Sequence, residues 1–280
     1  MASALTAWLE QINAHEHESA ALRGGEGGHG HEHGHGHGHG GGSRALVRQD
    51  NPDRTDDPVL NALFKVVDAF TTVLDVGGGT GRYAIPLASR AKHVTVVEPS
   101  GGSVEVLESI AAERGIANIT TIQSDWDTAE VEHADIVLCS VVLHHVPDAE
   151  PFILKLAQKA TGQVMIAEMV EFPGIIEVPF WERVYGSAPT PLPGLPELLN
   201  VLWEMDIYPD VTMFPPKPVL LDDDKAAAAD QLRRRLSVKA GSTEAYRLES
   251  AMTELLQETP DGLTIKGVNP RRQGIVSWRP

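Results

Sequence analysis

The sequence predicts an α/β protein with a doubly wound, mostly parallel sheet. Short apolar strands recur from residue 73 to residue 168, and a helical segment follows most of them. Strands that are apolar along their length and alternate with helices are typical of a parallel sheet covered on both faces. With 280 residues and one cysteine, Cys139, the chain is long enough to bury such a core without disulfides.

The elements can be placed in chain order. An amphipathic helix is expected over residues 2–12, and a second one over 58–67 begins at a proline that follows two aspartates. Five strands are then expected, at residues 73–76, 93–98, 118–123, 134–140 and 163–168. Helices are expected between them, at residues 80–90, 102–114 and 148–160. Ligands of such sheets bind at the carboxyl ends of the strands.

The regular alternation ends after Glu168. Residues 172–214 hold seven of the fifteen aromatic residues, and residues 173–218 hold ten of the nineteen prolines. We interpret 172–214 as a helical lid inserted over the binding edge of the sheet; the alternative is that its rings form a second small core. Two helices and two strand-like pieces complete the chain, at residues 222–238, 243–258, 263–268 and 273–278.

A histidine- and glycine-rich tract separates the first helix from the rest of the chain. Eight of the twelve histidines and eleven of the 26 glycines lie between residues 15 and 42. Such a composition has little to bury, so we expect disorder over 15–43 and divide the chain into an N-terminal region, 1–43, and one domain, 44–280. Alternating imidazoles on a flexible segment can bind Ni²⁺, Zn²⁺ or Cu²⁺ without a defined geometry. The candidate metal ligands are His29, His31, His33, His35, His37 and His39.

The net charge of −16 argues against several kinds of partner. An acidic surface repels phosphate backbones and anionic bilayers, so we expect neither a nucleic acid nor a membrane as partner. No apolar run approaches the ~20 residues that span a bilayer, and the first residues lack the features of a signal peptide. We therefore expect a cytoplasmic protein; the sequence leaves the oligomeric state open.

The first strand ends in a glycine-rich turn, residues 75–81, which read DVGGGTG. Glycines there allow a tight strand-to-helix turn and let a ligand approach the free N–H groups of a helix start. The glycine spacing of dinucleotide-binding proteins fails in both possible registers, and no Gly-Lys-Ser/Thr is present for a phosphate loop. The spacing that fits is D-x-G-x-G-x-G.

With this turn the chain resembles the class I S-adenosylmethionine-dependent methyltransferases, over about residues 55–170. The resemblance implies a Rossmann-like sheet of seven strands in the order 3-2-1-4-5-7-6, with the seventh antiparallel. It also implies that the turn cradles the amino-acid end of S-adenosylmethionine, with Asp75 close to its ammonium. The candidate cofactor-binding residues are Asp75, Gly77, Gly78, Gly79, Gly81, Glu98, Asp125, Trp126 and Ser140.

Acids at the ends of successive strands strengthen the resemblance. Glu98 ends the second strand, where a carboxylate can accept hydrogen bonds from both ribose hydroxyls of an adenosine. The resemblance implies that Asp125 accepts from the adenine amino group and that the region of Trp126 covers the base; Trp126 could equally pack in the core. Ser140 ends the fourth strand, before the loop that borders the methyl donor and acceptor in this family.

Two adjacent histidines, His144 and His145, follow the fourth strand. An imidazole there could remove a proton from an oxygen or nitrogen acceptor, and we slightly prefer His145 as the catalytic base. The alternatives are that both histidines hydrogen-bond to the backbone, or that the reaction uses no base.

The acceptor is expected to be a small molecule. Residues 139–142 read CSVV and lack the Asn/Asp/Ser-Pro-Pro-aromatic signature of family members that methylate nucleic-acid bases or glutamine. The sequence thus predicts a methyltransferase that acts on a small molecule. Two alternatives stay open: an enzyme of the same fold that transfers an aminopropyl group, and a non-catalytic protein that binds cofactor or metal and uses the histidine tract.

Overall fold

The computed structural model describes residues 2–22, 54–171, 176–221 and 224–280. Its strands are β1 (Thr72–Val76), β2 (His93–Val97), β3 (Ile119–Ile122), β4 (Ala134–Ser140), β5 (Ala160–Met169), β6 (Asp210–Met213), β7 (Leu256–Thr259), β8 (Gly262–Ile265) and β9 (Gln273–Trp278). Its helices are α1 (Ala4–Leu22), α2 (Pro58–Leu63), α3 (Ala84–Ala88), α4 (Gly101–Glu113), α5 (Ala149–Lys159), α6 (Val178–Tyr185), α7 (Leu195–Glu204), α8 (Lys225–Arg235) and α9 (Thr243–Leu255).

Seven strands form one sheet in the order β3-β2-β1-β4-β5-β9-β6. Strands β1 to β5 pair in parallel, and β9 runs antiparallel to both of its neighbours, β5 and β6. Counted within this sheet alone, the order is 3-2-1-4-5-7-6. The predicted fold class and strand order are therefore confirmed.

Alternate residues of the central strands face two different cores. On β4, Val137 and Cys139 belong to one cluster, which is covered by α1, α5 and α7. Ile136 and Leu138 belong to the other cluster, which is covered by α2, α3 and α4. Because both faces of the sheet are covered, these strands are apolar along their whole length.

The N-terminal helix belongs to the first of these cores. The sequence predicted that it ends at Ile12, but α1 continues to Leu22 and includes two histidines that were assigned to the disordered tract. Trp8 and Ile12 are fully buried, and α1 packs against α5 and α7. The predicted division at residue 43 therefore separates a helix from the core in which it packs. The remainder of the tract lies outside the described residues.

Two strands were not predicted from the sequence. β6 lies in the stretch interpreted as a lid and completes the main sheet through β9. β7 pairs with β8 in a separate hairpin, although residues 256–258 were expected to be helical. The edge strand β6 reads Asp-Val-Thr-Met and has all four residues exposed; an alternation of four residues is too short to identify a strand.

A smaller group of elements forms a lobe at one edge of the sheet. We call α6, α8, α9 and the β7–β8 hairpin the C-terminal lobe; they share a third apolar cluster. Met169 at the carboxyl end of β5 pairs with Gln273 at the start of β9, and Met213 at the end of β6 pairs with Gly274. The chain therefore leaves the sheet for this lobe, and returns from it, at the edge where the parallel strands end.

Candidate functional site

The glycine turn lies directly after β1 and adopts left-handed backbone conformations. The φ angles of Gly77, Gly79 and Gly81 are 71°, 56° and 89°. A Cβ on Gly77 would lie 2.5 Å from Cγ2 of Val142, which closes that position to any other residue. A Cβ on Gly79 would meet nothing within 4 Å, so this peptide faces open space. The turn thus exposes backbone to a ligand on one side only.

Asp75 is buried beside this turn at 1% exposure. No hydrogen-bond partner for its Oδ2 lies among the described residues, and a Cβ on Gly78 would come within 2.9 Å of that oxygen. Burial raises the pKa of the Asp75 carboxyl to about 7, and the negative charge of Glu98 adds to the shift. A buried carboxylate without a donor is a suitable partner for a cationic ligand.

Glu98 follows β2 and is 8% exposed. Its Oε2 accepts a hydrogen bond from the N–H of Gly79 at 3.0 Å, and its Oε1 accepts one from the N–H of Ser100 at 3.0 Å. Each carboxylate oxygen can accept two hydrogen bonds, so both retain an acceptor position. Glu98 therefore ties the glycine turn to β2 and can still bind two hydroxyl groups.

The two residues expected to bind adenine differ in their surroundings. Asp125 is exposed after β3. Trp126 is buried, its Nε1 donates to the carbonyl of Phe152 at 3.3 Å, and Nζ of Lys155 lies 4.6 Å from its ring centroid. The Trp126 ring is thus packed against α5, which is the core role that the sequence left open.

The end of β4 brings Ser140 next to the glycine turn. The phenol of Tyr83, just before α3, lies near the Ser140 side chain, and burial raises the pKa of that phenol to about 12. Val141, the next residue, has a φ of 56°, which is a strained conformation for a β-branched side chain. The turn at Val141 places the Val142 side chain against Gly77 and begins the loop that carries His144 and His145.

His144 is buried at the end of this loop and pairs with an acid from β5. Its Nδ1 lies 3.2 Å from Oε2 of Glu168, and the two side chains are 3% and 1% exposed. The ring of His145 is half-buried, with its centroid 4.2 Å from that of His144. Glu168 was not predicted as a site residue, although an acid at the carboxyl end of a strand is the same signal that identified Asp75 and Glu98.

A charged cluster under the glycine turn was also missed. Asp57 caps α2 by accepting from the N–H groups of Val59 and Leu60. Its Oδ2 also binds Arg82 at 2.9 Å and Arg54 at 3.4 Å. Because Arg82 directly follows the turn, these contacts fix α3 and the turn to the segment before α2.

The structure therefore brings most of the predicted cofactor residues to one edge of the sheet. Asp75, the glycines, Glu98 and Ser140 converge at the ends of β1, β2 and β4, whereas Trp126 points into the core. The candidate metal ligands, His29 to His39, lie outside the described residues. Within the described parts of the chain, no group of three or more His, Cys, Asp or Glu side chains is placed to hold a metal ion.

The aromatic residues of 172–214 do not line one pocket. Phe180 and Trp181 are buried in the C-terminal lobe, which agrees with the alternative of a second small core. Trp203 and Tyr208 are 51% and 73% exposed. Phe172 lies outside the described residues.

Sequence comparisons find relatives for the part of the chain that carries this site. A profile of the methyltransferase-domain family matches residues 73–161, from β1 to the start of β5. The ubiquinone biosynthesis O-methyltransferase of Rickettsia conorii is 32% identical over 130 residues, which cover 44% of this chain and 45% of that protein. The chain thus spans less than half the length of this relative.

Comparisons with solved structures extend the likeness beyond the matched region. The YcgJ protein of Bacillus subtilis has a TM-score of 0.52 and 16% identity, covering 78% of this chain and 95% of that one. A coclaurine N-methyltransferase bound to N-methylheliamine and SAH has a TM-score of 0.50 and 17% identity, covering 97% of this chain and 88% of that one. At these identities the likeness shows a shared fold.

In the described ranges, no helix is both long and apolar enough to cross a membrane.

Proposed function

Because this chain belongs to the class I S-adenosylmethionine-dependent methyltransferases, we propose that it transfers the methyl group of S-adenosylmethionine to a small-molecule acceptor. The observation that carries the proposal is the buried pair Asp75 and Glu98 around the glycine turn. The cofactor, when bound, supplies a sulfonium methyl group that is transferred by in-line displacement. The residues present fit a cationic adenosine-containing molecule. They combine the buried Asp75 carboxylate, whose Oδ2 has no donor among the described residues, with Glu98, which can accept hydrogen bonds at both oxygens.

Each residue of the candidate site has a distinct role in this proposal. The Asp75 carboxylate neutralises the ammonium of the cofactor, and the open space at Gly79 lets the cofactor approach the backbone. Glu98 accepts hydrogen bonds from the ribose hydroxyls, while Asp125, exposed after β3, accepts from the adenine amino group. Trp126 is not part of the proposed site, because its indole N–H and ring are used by α5.

The buried pair of His144 and Glu168 is the best candidate for proton removal. A carboxylate that accepts from Nδ1 leaves Nε2 as the proton-accepting nitrogen of the imidazole. This arrangement favours His144 over His145 as the base, contrary to the preference from the sequence. Glu168 acts as a positioning residue that fixes the ring and stabilises the imidazolium formed after proton transfer.

The ubiquinone biosynthesis relative supports a small-molecule acceptor, and the acidic net charge of the chain disfavours a nucleic acid.

We keep Ni²⁺ or Zn²⁺ binding by the histidine tract as a separate proposal. Deletion of residues 23–43 is expected to remove metal binding, measured by isothermal titration with NiCl₂, and to leave cofactor affinity unchanged. Loss of cofactor binding in that deletion would contradict this separation. We also propose that the protein is cytoplasmic.

The cofactor site is tested by titration calorimetry with S-adenosylmethionine. Glu98→Gln is expected to weaken binding about 10- to 100-fold, because a charge-assisted hydrogen-bonding group is lost. Glu105→Gln, an exposed acid on α4, serves as the matched control and should bind normally. Unchanged affinity in Glu98→Gln would show that the cofactor does not bind here.

The catalytic proposal is tested by transfer of a tritiated methyl group to a metabolite extract. We expect labelled small molecules with the native chain and a strongly reduced rate with His144→Asn. Glu168→Gln should lower kcat while leaving the KM for cofactor unchanged. A protein that binds cofactor but labels nothing would favour the non-catalytic alternative.

A further inference from the structure

A buried carboxylate where the C-terminal lobe meets the sheet binds one arginine and lies near a second. Glu177, the residue before α6, is 6% exposed, and its Oε1 accepts a hydrogen bond from Nη1 of Arg235 at the end of α8. Arg271, which lies shortly before β9, is close enough to interact electrostatically with both. The three side chains together carry a net charge of +1.

In this cluster, Arg271 has a hydrogen-bond donor without an acceptor among the described residues. Its Nε is buried, and none of the described residues provides a hydrogen-bond partner for that nitrogen. Burial, together with the neighbouring charge of Arg235, lowers the pKa of the Arg271 guanidinium, and Glu177 only partly offsets this effect. The nearby carboxylate of Glu171 binds Arg272 instead. A buried guanidinium donor without an acceptor indicates a position that a ligand can complete.

The backbone of Arg271 lies at the binding edge of the sheet. Its backbone exchanges two hydrogen bonds with Lys217, at 2.7 and 2.9 Å. Nζ of Lys217 donates to the carbonyl of Asp56, next to the Asp57 carboxylate that holds Arg82 behind the glycine turn. The arginines thus lie at the β5–β9 side of the edge, whereas Asp75 and Glu98 lie at the β1–β2 side.

We propose that Arg271, with Arg235 beside it, binds a carboxylate of the methyl acceptor. The proposal rests on the proposed methyl transfer and names its substrate class, a small organic monoanion. A planar guanidinium edge matches a carboxylate through two parallel hydrogen bonds, and the net charge of +1 matches one carboxylate rather than a phosphate dianion. The edge of the sheet then holds its two substrates by opposite charges: acids for the cationic donor and arginines for the anionic acceptor.

The test measures binding of matched acid and amide pairs to the full chain loaded with S-adenosylhomocysteine. The probes are benzoate, 4-hydroxybenzoate, 3,4-dihydroxybenzoate, cinnamate and hexanoate, each paired with its neutral amide, followed by titration calorimetry. At least one acid is expected to bind about tenfold or more tightly than its amide. The absence of any acid preference across the panel overturns the proposal. Phenyl phosphate serves as the phosphate arm, and a preference for it over every carboxylate would also overturn the assignment.

Variants separate a ligand-binding role from a purely structural one. Arg271→Gln should abolish the preference for the acid, and Arg271→Lys, which keeps the charge but lacks the planar fork, should retain only part of it. Arg272→Gln is the matched control and should bind as the native chain does. Glu177→Gln removes the competing carboxylate and should tighten acid binding. If the only role of Arg271 were to offset the charge of Glu177, Glu177→Gln would lower the stability of the chain and would not increase its affinity for the acid.

Binding of S-adenosylhomocysteine itself is measured in every variant. A chain that binds it with normal affinity but shows no acid preference contradicts the arginine site alone. A chain that fails to bind it contradicts the proposed function. The two failures are therefore distinguishable.

Discussion

Replacing Asp75 by asparagine is expected to stabilise the cofactor-free protein while weakening its cofactor binding. The carboxyl is buried with no donor for Oδ2 among the described residues, and its pKa is raised to about 7 by burial and by the charge of Glu98. Above neutral pH the folded chain must therefore hold an unfavourable negative charge. Asparagine has nearly the same shape and stays neutral.

The magnitude follows from the shift in pKa. The carboxyl moves from its ordinary value of 3.8 to about 7 on folding. At about 1.4 kcal/mol for each pKa unit, the difference amounts to about 4 kcal/mol. Between these two values the folded chain retains a proton that the unfolded chain has lost, so the free energy of unfolding falls as the pH rises from about 4 to 7. Above pH 7 this loss is complete and constant.

Urea unfolding of the cofactor-free chain, followed by circular dichroism, measures this effect. Asp75→Asn should be more stable than the native chain by about 4 kcal/mol at pH 8 and by about 2 kcal/mol at pH 5. Asp127→Asn, an exposed aspartate after β3, is the matched control and should change little at either pH. Equal stability of Asp75→Asn and the native chain at pH 8, or an advantage that does not shrink towards pH 5, would refute this reasoning.

Three further outcomes are expected. Cofactor affinity of the native chain should fall about tenfold for each pH unit below 7, because the Asp75 carboxylate must be ionised to bind a cation; calorimetry at several pH values should find no such loss in Asp75→Asn, and a parallel loss would contradict the role of this carboxylate. Trp8→Ala should lower the free energy of unfolding by about 3–5 kcal/mol, whereas Leu9→Ala, on the exposed side of the same helix, should cost far less; equal effects in urea unfolding would show that α1 does not contribute to the core. Gly77→Ala and Gly115→Ala both place a side chain at positive φ, which costs about 1–2 kcal/mol, but only the first also meets a valine methyl at 2.5 Å. Unfolding experiments that find the two variants equally stable would contradict the tight packing of the glycine turn.

The sheet and the cofactor edge could be predicted because their signals are local. An apolar strand that ends in Asp75 or Glu98 is visible within a few residues, and the parallel fold dictates that such ends meet at one edge. The strand β6 gives a much weaker signal, since it has only four residues, all exposed, and its pairing with β9 joins segments about sixty residues apart. The length of α1 was likewise underestimated, because its second half is polar.

The partners of the buried charges could not be predicted from local patterns. The pairing of His144 with Glu168 depends on the parallel alignment of β4 with β5, in which Ser140 lies opposite Ala167. The meeting of Glu177 with Arg271 depends on how the C-terminal lobe folds back to β9. Such contacts join residues that are far apart in the sequence, so they become visible only once the strand order and the path of the lobe are known.

The N-terminal helix has a consequence for how the chain can be shortened. Nε1 of Trp8 donates to the carbonyl of Val146 at 2.8 Å, in the loop that carries the two histidines. Nε2 of Gln11 donates to the carbonyl of Pro191 at 2.9 Å, and Nδ1 of His15 lies 2.6 Å from the carbonyl of Thr190. One helix thus braces the loop after β4 and the segment before α7 against each other. A chain trimmed to begin at residue 44 would retain every proposed cofactor contact and yet lose this brace, so both loops would have to be ordered again, at an entropic cost, each time an acceptor binds.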